Sequence, residues 1–282
     1  MVARENKSVN MKIDLAFITY NRLEYTKLAL QSVLADPQEE FSLTIWDNAS
    51  SDDTPDYLKS IKDHRIKDII LSKNNVGQVE AVNRIWSASN ADLLGKLDND
   101  CLVTPGWTRT LAQAHADIDR LGVVACWHFF PEDFDEKRAE HKIQTFGRHR
   151  IFRHPWTCGT GLLLKNETYR KLGPIIRNST TGYWLNMARK GYVNGFYYPL
   201  VYQEHMDDPR SEHCLLNKLS FDEAYKHCFG FQAGIISDIE NYKKLHQDYL
   251  DNLLDDPFEA SYYSPFRRRI RRILNRFRKL GS

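Results

Sequence analysis

The chain of 282 residues is long enough for one large domain or for one domain with an appendage. Its 42% hydrophobic, 12% aromatic and 27% charged residues are typical of a globular protein with a substantial core, which excludes a chain that is disordered throughout. The formal net charge of +2 is unevenly distributed: eight basic and no acidic residues lie between Arg267 and Lys279, so the rest of the chain is slightly acidic.

Strands and helices are predicted to alternate through the first hundred residues. Apolar runs predict strands at 13–18, 41–46, 66–71 and 92–97. Apolar residues at helical spacing and turn residues before them predict helices that end at residue 34, span 55–61 and end at residue 87. This alternation predicts βαβ units, and therefore an α/β fold with a parallel sheet covered by helices on both faces.

The fourth predicted strand ends in two carboxylates, Asp98 and Asp100, two residues apart. Alternate side chains of an extended strand point the same way, so the pair would enter one cleft. A hard divalent cation with oxygen ligands, such as Mn or Mg, would relieve their repulsion, and phosphate oxygens of a substrate would fill its open positions. The alternative is an ordinary surface turn, since Asp and Asn are common in turns.

Polar segments follow the predicted strands, at the edge of a parallel sheet where ligands bind. The segments are Ile18–Arg22, Asp47–Thr54, Asn75–Gly77 with Asn83, and Leu97–Asp100. Their order and spacing resemble those of family 2 glycosyltransferases over about residues 12–209. The resemblance implies the GT-A fold, in which a mostly parallel central sheet is flanked by helices. The domain would span residues 11–210, with a nucleotide-binding half at 11–101 and an acceptor half at 102–210.

The same resemblance implies transfer of a sugar from a nucleotide-diphospho-sugar, with a UDP-sugar favoured, to the hydroxyl of a saccharide or lipid-linked acceptor. A divalent cation, Mn or Mg, would be the cofactor, with Asp98 and Asp100 as metal ligands and Asp98 also near the ribose. Asp47 would accept a hydrogen bond from the base, and Tyr20 would border the base and ribose. The residues expected to bind the donor are Thr19, Tyr20, Asn21, Arg22, Asp47, Asn75, Gly77, Lys96, Asp98 and Asn99.

Several of these assignments have alternatives. Arg22 and Lys96 would support the phosphates, although both are also common as solvated surface residues. A tight turn before a helix explains Asn75 and Gly77 as well as donor binding does. The family often has a basic residue where this chain has Val82, so phosphate neutralisation would rest on the metal and on nearby arginines.

The second half of the domain is expected to bind the acceptor. Trp107 and Trp156 would stack on sugar faces and Gly159 would let the backbone approach a sugar closely, although core packing is as common for tryptophan. Further strands are predicted at 121–127, 162–164 and 197–202. The charged stretch 131–150 has little periodicity and is predicted to be a mobile loop, either a lid over the site or a solvated insertion.

His205 follows a strand-like run, where several members of the resembling family have a third metal ligand. A lone histidine is more often structural, but an imidazole ligand would favour Mn over Mg. Inverting members have an acidic pair before a helix, and the matching segment here, 178–184, has no carboxylate. We favour an inverting reaction with Glu204, Asp207 or Asp208 as the base; a retaining reaction and an inactive protein are the alternatives.

Residues 211–282 are predicted to form a helical region. Helices at 221–236 and 239–254 would pack on the catalytic domain or on a second copy, which would give a homodimer. Phe266 to Leu280 has the pattern of a basic amphipathic helix, which suits a membrane surface with anionic lipids. Nucleic-acid binding and docking onto the protein itself are the competing interpretations, and we favour the membrane over nucleic acid.

The compartment is predicted from the absence of targeting signals. Residues 1–10 are polar, which predicts a disordered tail rather than a signal peptide, and no run approaches the ~18 apolar residues of a spanning helix. The cysteines are odd in number and scattered, which favours free thiols in a reducing compartment. They are Cys101, Cys126, Cys158, Cys214 and Cys228. We therefore expect a cytoplasmic protein, peripheral on the inner face of the membrane.

The leading hypothesis is a metal-dependent glycosyltransferase of surface polysaccharide or glycolipid synthesis. The alternative from another class is a catalytically silent, sugar-nucleotide-binding scaffold at the membrane, which the missing acidic pair supports. A metal-dependent nuclease is less favoured, because the further convergent carboxylates of a two-metal site cannot be placed in the sequence.

Overall fold

The strands in the described part of the chain belong to one large and one small sheet. The computed structural model describes residues 11–176, 179–225, 234 and 236–264. The strands are β1 (Ile13–Thr19), β2 (Ser42–Asp47), β3 (Ile66–Leu71), β4 (Leu93–Asp98), β5 (Cys101–Val103), β6 (Leu121–Ala125), β7 (Ile143–Phe146), β8 (His149–Arg153), β9 (Leu162–Lys165), β10 (Val193–Tyr198) and β11 (Gln203–His205). The large sheet has the order β3-β2-β1-β4-β9-β6-β10-β8-β7, and β5 pairs separately with β11.

One half of the large sheet is the parallel arrangement that the sequence predicts. Strand β1 pairs in parallel with both β2 and β4, and β2 with β3. The other half is mixed, because β9 is antiparallel to β4 and β6, and β8 is antiparallel to β7 and β10. In the described sheet β8 and β9 run against the other strands. The prediction of an α/β fold with a mostly parallel sheet is therefore confirmed.

Helices cover both faces of the sheet. They are α1 (Leu23–Leu34), α2 (Thr54–Ser60), α3 (Gln78–Ala88), α4 (Trp107–Asp117), α5 (Glu136–Ala139), α6 (Asn166–Leu172), α7 (Thr180–Arg189), α8 (Phe221–Tyr225) and α9 (Ile239–Asp255). Alternate residues of β1 divide between two cores, as a doubly covered sheet requires. Leu15 and Phe17 pack with α1 and α4, whereas Ala16 and Ile18 face the core that contains residues of α3, α7 and α9.

The small sheet brings the end of the domain back to the end of β4. After β4 the chain turns through Asn99 and Asp100 into β5, and β11 runs antiparallel beside it with His205 opposite Cys101. The backbone N–H of Met206 donates to the carbonyl of Asp100 at 2.8 Å. This pairing places residues 205–208 next to the carboxyl ends of the parallel strands.

The segment 131–150 differs from the predicted mobile loop. It contains a 3-10 helix, α5, a second 3-10 helix, β7 and the start of β8. Some of its charges are paired: Arg210 lies 2.7 Å from Asp133, and Arg138 lies 2.6 Å from Asp255. The prediction of a loop was wrong for this segment because the partners that hold it are distant in the sequence, so no local pattern of charges reveals them.

The described part of the C-terminal region packs on the domain. The ends of helix α9 lie within one residue of the predicted ones. The helix buries Leu250, Leu253 and Leu254 in the core that also contains residues of α3 and α7. Of the helix predicted at 221–236 the structure describes α8, and the predicted tail at 1–10 and the basic segment 266–280 lie outside the described residues. Among the residues described, no helix has both the length and the apolar character to cross a lipid bilayer.

Candidate functional site

Three side chains converge beyond the carboxyl end of β4. Asp100, His205 and Asp207 each offer an atom that could ligate a metal ion, and these atoms lie within 4.8 Å of one another. We call these three residues the metal group. Asp100 stands in the turn between β4 and β5, and the β5–β11 pairing carries His205 beside it, with Nε2 4.0 Å from the Asp100 carboxylate. Two residues further on, the chain turns and brings Asp207 to the same place. The three residues are partly buried, which suits a site that opens on a cleft.

Arg22 joins the two carboxylates of this group. Its guanidinium donates to Asp207 at 2.9 Å and to Asp100 at 3.0 Å, and also to the side-chain oxygen of Asn99 at 3.1 Å. The guanidinium also lies over the ring of Tyr25, 4.9 Å from its centroid. Burial alone would raise the pKa of Asp100, but Arg22 and the nearby His205 outweigh it and lower that pKa to about 2. Asp100 is therefore a carboxylate throughout the neutral pH range.

The backbone of Arg22 is held in an unusual conformation. Arg22 has φ 57° and Asn21 has φ 52°, in the left-handed region that residues other than glycine rarely adopt. The loop after β2 supports this turn, because Ser50 accepts from the N–H of Asn21 at 2.7 Å and Asp52 accepts from the N–H of Leu23 at 3.1 Å. The first two polar segments of the sequence thus build one platform that aims Arg22 at the metal group.

Asp98 lies outside the metal group, contrary to the prediction that it is a ligand. Lys96 donates to both of its carboxylate oxygens at 2.7 Å, and Gln78 of α3 donates to it at 2.5 Å. Lys96 and Asp98 are two residues apart on a strand and so share a face, which makes their pairing the local outcome. The predicted contact of Lys96 with phosphate is also corrected: its ammonium is buried and bound to Asp98 and to the carbonyl of Gly159.

Most of the other predicted donor residues hold the site together. Asn99 donates to the hydroxyls of Thr19 and Thr26 and to the carbonyl of Asn21, so it fixes the turn that carries Arg22. Asp47 is buried and accepts hydrogen bonds from the N–H and the hydroxyl of Ser50. These contacts make the residues supports, and their contact with a donor stays a prediction.

The third polar segment forms the turn before α3. The side-chain oxygen of Asn75 accepts from Asn48 at 2.7 Å and from the N–H of Gly77 at 2.9 Å, and Gly77 has φ 79°. Glycine adopts this positive φ without the steric cost that a Cβ would add. Tyr20 is 44% exposed, two residues before Arg22, so it is accessible to a ligand.

The predicted acceptor residues are separated by the structure. Trp107 begins α4 and is fully buried in a core, so its ring has no face for a sugar and the prediction for it is wrong. Trp156 is partly buried between His154 and Tyr263, with both ring centroids at 4.3 Å. The carbonyl of Gly159 accepts a hydrogen bond from the ammonium of Lys96, and its contact with an acceptor stays a prediction. Tryptophan packing was the alternative that the sequence already left open.

The three predicted bases all have partners. Asp207 belongs to the metal group and is ion-paired with Arg22. Asp208 is 2% exposed at its side chain and accepts from Arg210; burial alone would raise its pKa, but these hydrogen bonds lower it. Glu204 accepts a hydrogen bond from the hydroxyl of Ser211 at 2.5 Å. Because a lowered pKa weakens a base, Asp208 fits that role poorly.

The donor set of the group fits a divalent ion of the Mn type. Two carboxylates and one imidazole are ligands that Mn accepts, whereas Mg prefers oxygen ligands throughout. The three residues come from the end of β4 and from the segment after β10, so the tertiary structure assembles them. Sequence analysis found each residue but gave Asp207 the role of a base, because nothing in the local sequence separates it from Asp208.

Three residues that support the site had no signal in the sequence. Gln78 binds Asp98, and the hydroxyls of Tyr25 and Tyr242 donate to the carbonyls of Met206 and Asp207. A tyrosine on an amphipathic helix is indistinguishable from a core residue until the partner loop is known.

Comparison with known proteins shows the family and the fold of the chain. Residues 15–184, more than half of the chain, match the family described as Glycosyl transferase family 2. An uncharacterized glycosyltransferase (alr2836) from Nostoc sp. is 27% identical over 117 residues, which are 40% of this chain and 36% of the relative. The match thus spans about a third of that relative's length.

A solved structure extends the comparison to the fold. The mannosyltransferase PcManGT from Pyrobaculum calidifontis, in complex with GDP-Man and Mn2+, matches with a TM-score of 0.58. The match covers 86% of this chain and 80% of the other at 16% identity, a level that shows the fold alone. With the mixed sheet described above, it confirms the predicted GT-A fold. The chain is a member of glycosyl transferase family 2.

Proposed function

We propose that the protein is a metal-dependent glycosyltransferase that moves a sugar from a nucleotide-diphospho-sugar to an acceptor hydroxyl. The observation that carries the proposal is the convergence of Asp100, His205 and Asp207 around Arg22 at the carboxyl edge of the sheet. Ligands of open α/β sheets bind at this edge. Membership of the family supplies the class of reaction, and the site supplies the residues.

Asp100, His205 and Asp207 would hold the ion, and Mn is the ion that their ligand atoms suit best. A bound divalent cation supplies positive charge beside a leaving diphosphate. The side chains of the site do the rest. Arg22 binds Asp100 and Asp207 through one guanidinium and so holds the two carboxylates close together, and it adds a second positive charge to the site.

The donor would lie across the turns that follow β1, β2 and β4. Tyr20, two residues before Arg22, is an exposed aromatic residue, which suits contact with a nucleoside. Asp98 lies on the same strand end, where Gln78 and Lys96 orient its carboxylate. The structural relative binds GDP-Man, whereas we retain a UDP-sugar as the favoured donor for this chain from its sequence. Both nucleotides therefore enter the test below.

We further propose inversion at the anomeric carbon, with Glu204 as the base. Asp207 is needed in the metal group and the pKa of Asp208 is lowered by Arg210, so these two are less suitable. Glu204 accepts a hydrogen bond from the neutral hydroxyl of Ser211, and no ion pair is found for it among the described residues. Proton NMR of the first product formed decides this point: retention of configuration, or full activity of Glu204→Gln, would overturn it.

The main test measures release of the nucleoside diphosphate from a panel of UDP- and GDP-sugars, with and without Mn. We expect one donor to be turned over in the presence of Mn, and Asp100→Asn to lower the rate by about 100-fold. Asp56→Asn is the matched control, because it removes an exposed carboxylate on α2 that pairs with Lys59 alone among the contacts found for it. Tight donor binding without turnover by the wild type would instead identify a silent binding module.

We also propose that the protein works at the cytoplasmic face of a membrane, on a saccharide or lipid-linked acceptor of surface polysaccharide or glycolipid synthesis. The support is the sequence of residues 266–280, where basic residues alternate with an apolar stripe. Removal of residues 266–282 should release the protein from vesicles that contain anionic lipid, while donor binding is kept. Unchanged vesicle binding would remove the membrane from the proposal.

A further inference from the structure

Two of the three residues in the metal group lie outside the part of the chain that matches the family. The match ends at residue 184, whereas His205 is the last residue of β11 and Asp207 lies in the turn that follows it. The loop turns back on itself, because the N–H of Asp208 donates to the carbonyl of His205 at 2.9 Å. Something must hold this turn in one place if both side chains are to face Asp100.

Two tyrosine hydroxyls hold the backbone of the turn, one from each end of the chain. Tyr25 of α1 donates to the carbonyl of Met206 at 3.2 Å, and Tyr242 of α9 donates to the carbonyl of Asp207 at 2.7 Å. The Tyr25 oxygen also accepts from the N–H of Leu215 at 3.0 Å, which ties down the chain beyond the turn. We propose that Tyr25 and Tyr242 are positioning residues that set the metal affinity of the site, an inference that rests on the proposed function.

Helix α9 is held firmly enough to position the turn. Leu250, Leu253 and Leu254 anchor α9 in the core, and Arg138 binds its far end through Asp255. Tyr242 is itself 9% exposed. A hydroxyl on a helix docked along its length has little freedom, so it fixes the carbonyl that it binds.

A second set of contacts closes the same turn from the side of α9. Asp208 accepts hydrogen bonds from the backbone N–H and the guanidinium of Arg210, and the same guanidinium also donates to Asp133. His246, one helical turn after Tyr242, lies 3.3 Å from Asp208. Asp208 is thus the end of the turn that is fixed to the surrounding protein, which explains its burial without a catalytic role.

The effect of removing a hydroxyl follows from these contacts. Phenylalanine keeps each ring, including the Tyr25 ring under the Arg22 guanidinium, but leaves a backbone carbonyl without its donor. The turn then moves toward other partners, and His205 and Asp207 face Asp100 for a smaller fraction of the time. We expect each substitution to weaken Mn binding by about tenfold.

The experiment titrates Mn into the full chain and follows free Mn by electron paramagnetic resonance. Tyr25→Phe and Tyr242→Phe are compared with the wild type and with Tyr262→Phe, which removes a phenol hydroxyl that donates to Asp256 away from the turn. We expect weaker Mn binding in the first two variants, wild-type affinity in the control, and a rate of donor turnover that saturating Mn restores. Restoration by Mn separates positioning from general loss of structure.

Two results decide between failure of this inference and failure of the proposed function. Wild-type Mn affinity in both Tyr25→Phe and Tyr242→Phe would overturn the inference and leave the proposed function standing. A wild-type protein that neither binds Mn nor turns over any nucleotide sugar would overturn the proposed function itself. Thermal unfolding checks that both variants are folded. If Tyr25→Phe does not fold, the Mn affinity of Tyr242→Phe alone decides the inference.

Discussion

Arg22 and Asp207 are 185 residues apart in the sequence, yet the guanidinium of one lies 2.9 Å from the carboxylate of the other. The contact joins the turn after the first strand of the domain to the loop after its last strand. Asp100 is bound by the same guanidinium at 3.0 Å. Two carboxylates this close repel each other unless a positive charge lies between them.

We expect Arg22→Met to destabilise the protein by about 3 kcal/mol, because it leaves two partly buried carboxylates without their counter-charge. Added Mn should recover part of this loss, so the melting temperature of the variant should rise more with Mn than that of the wild type. Thermal unfolding with and without Mn measures both effects.

The control for that variant is Arg84→Met. Arg84 pairs with Glu80 on the exposed surface of α3, and such pairs contribute ~0–1 kcal/mol. A melting temperature of Arg22→Met equal to that of Arg84→Met, with equal responses to Mn, would contradict the prediction.

A second prediction separates Asp98 from Asp207. Because Asp98 is outside the metal group, Asp98→Asn should bind Mn within about threefold of the wild type but bind the donor more weakly. Asp207→Asn removes a ligand atom and should weaken Mn binding by at least about tenfold. Direct Mn titration and donor-binding calorimetry give the two affinities. If Asp98→Asn loses Mn as strongly as Asp207→Asn, the ligand set described here is incomplete.

Lys142 leads to a prediction about pH. The side chain is buried beside α9, donates to the carbonyl of Leu253, and lies 4.9 Å from the ring centroid of Phe152. Burial lowers its pKa from 10.5 to about 8, partly offset by nearby acidic residues. Between these two pH values the unfolded chain binds one proton more than the folded protein. The free energy of unfolding should therefore rise with pH, by about 1.4 kcal/mol per unit.

Lys142→Met should lose this rise, because methionine does not titrate. Denaturant unfolding at several pH values from about 7.5 to about 10.5 gives the difference in unfolding free energy between Lys142→Met and the wild type. A difference that stays constant across the window would mean that the ammonium is not buried in solution.

Gly195 leads to a prediction about the sheet. A Cβ at this position would overlap the carbonyl oxygen of Phe152 on the neighbouring strand β8. Since a backbone atom of a central sheet moves only with its strand, Gly195→Ala should cost about 3 kcal/mol of unfolding free energy. Gly147→Ala is the matched control: its φ is 59° and a Cβ there has open space, so only about 1 kcal/mol of backbone strain is expected. Equal losses in the two variants would refute the overlap.

The sequence was most informative where the physics is local. The first four strands were predicted within about one residue of their ends, because apolar runs bounded by polar turns depend on neighbouring residues alone. The same logic failed for 131–150, whose charges pair with Arg210 and with α9. The sequence also predicted Trp107 to be an acceptor residue, although its ring is fully buried.

By itself the sequence determined the α/β fold, the polar edge of the sheet and the individual residues of the site, including Asp100, His205 and Asp207. Only the tertiary structure decided which of these residues come together. Lys96 and Asp98 pair because they share a strand face, whereas Asp207 reaches Asp100 because β11 pairs with β5. Contacts between residues far apart in the chain are set by packing of whole elements, and no local pattern of side chains records them.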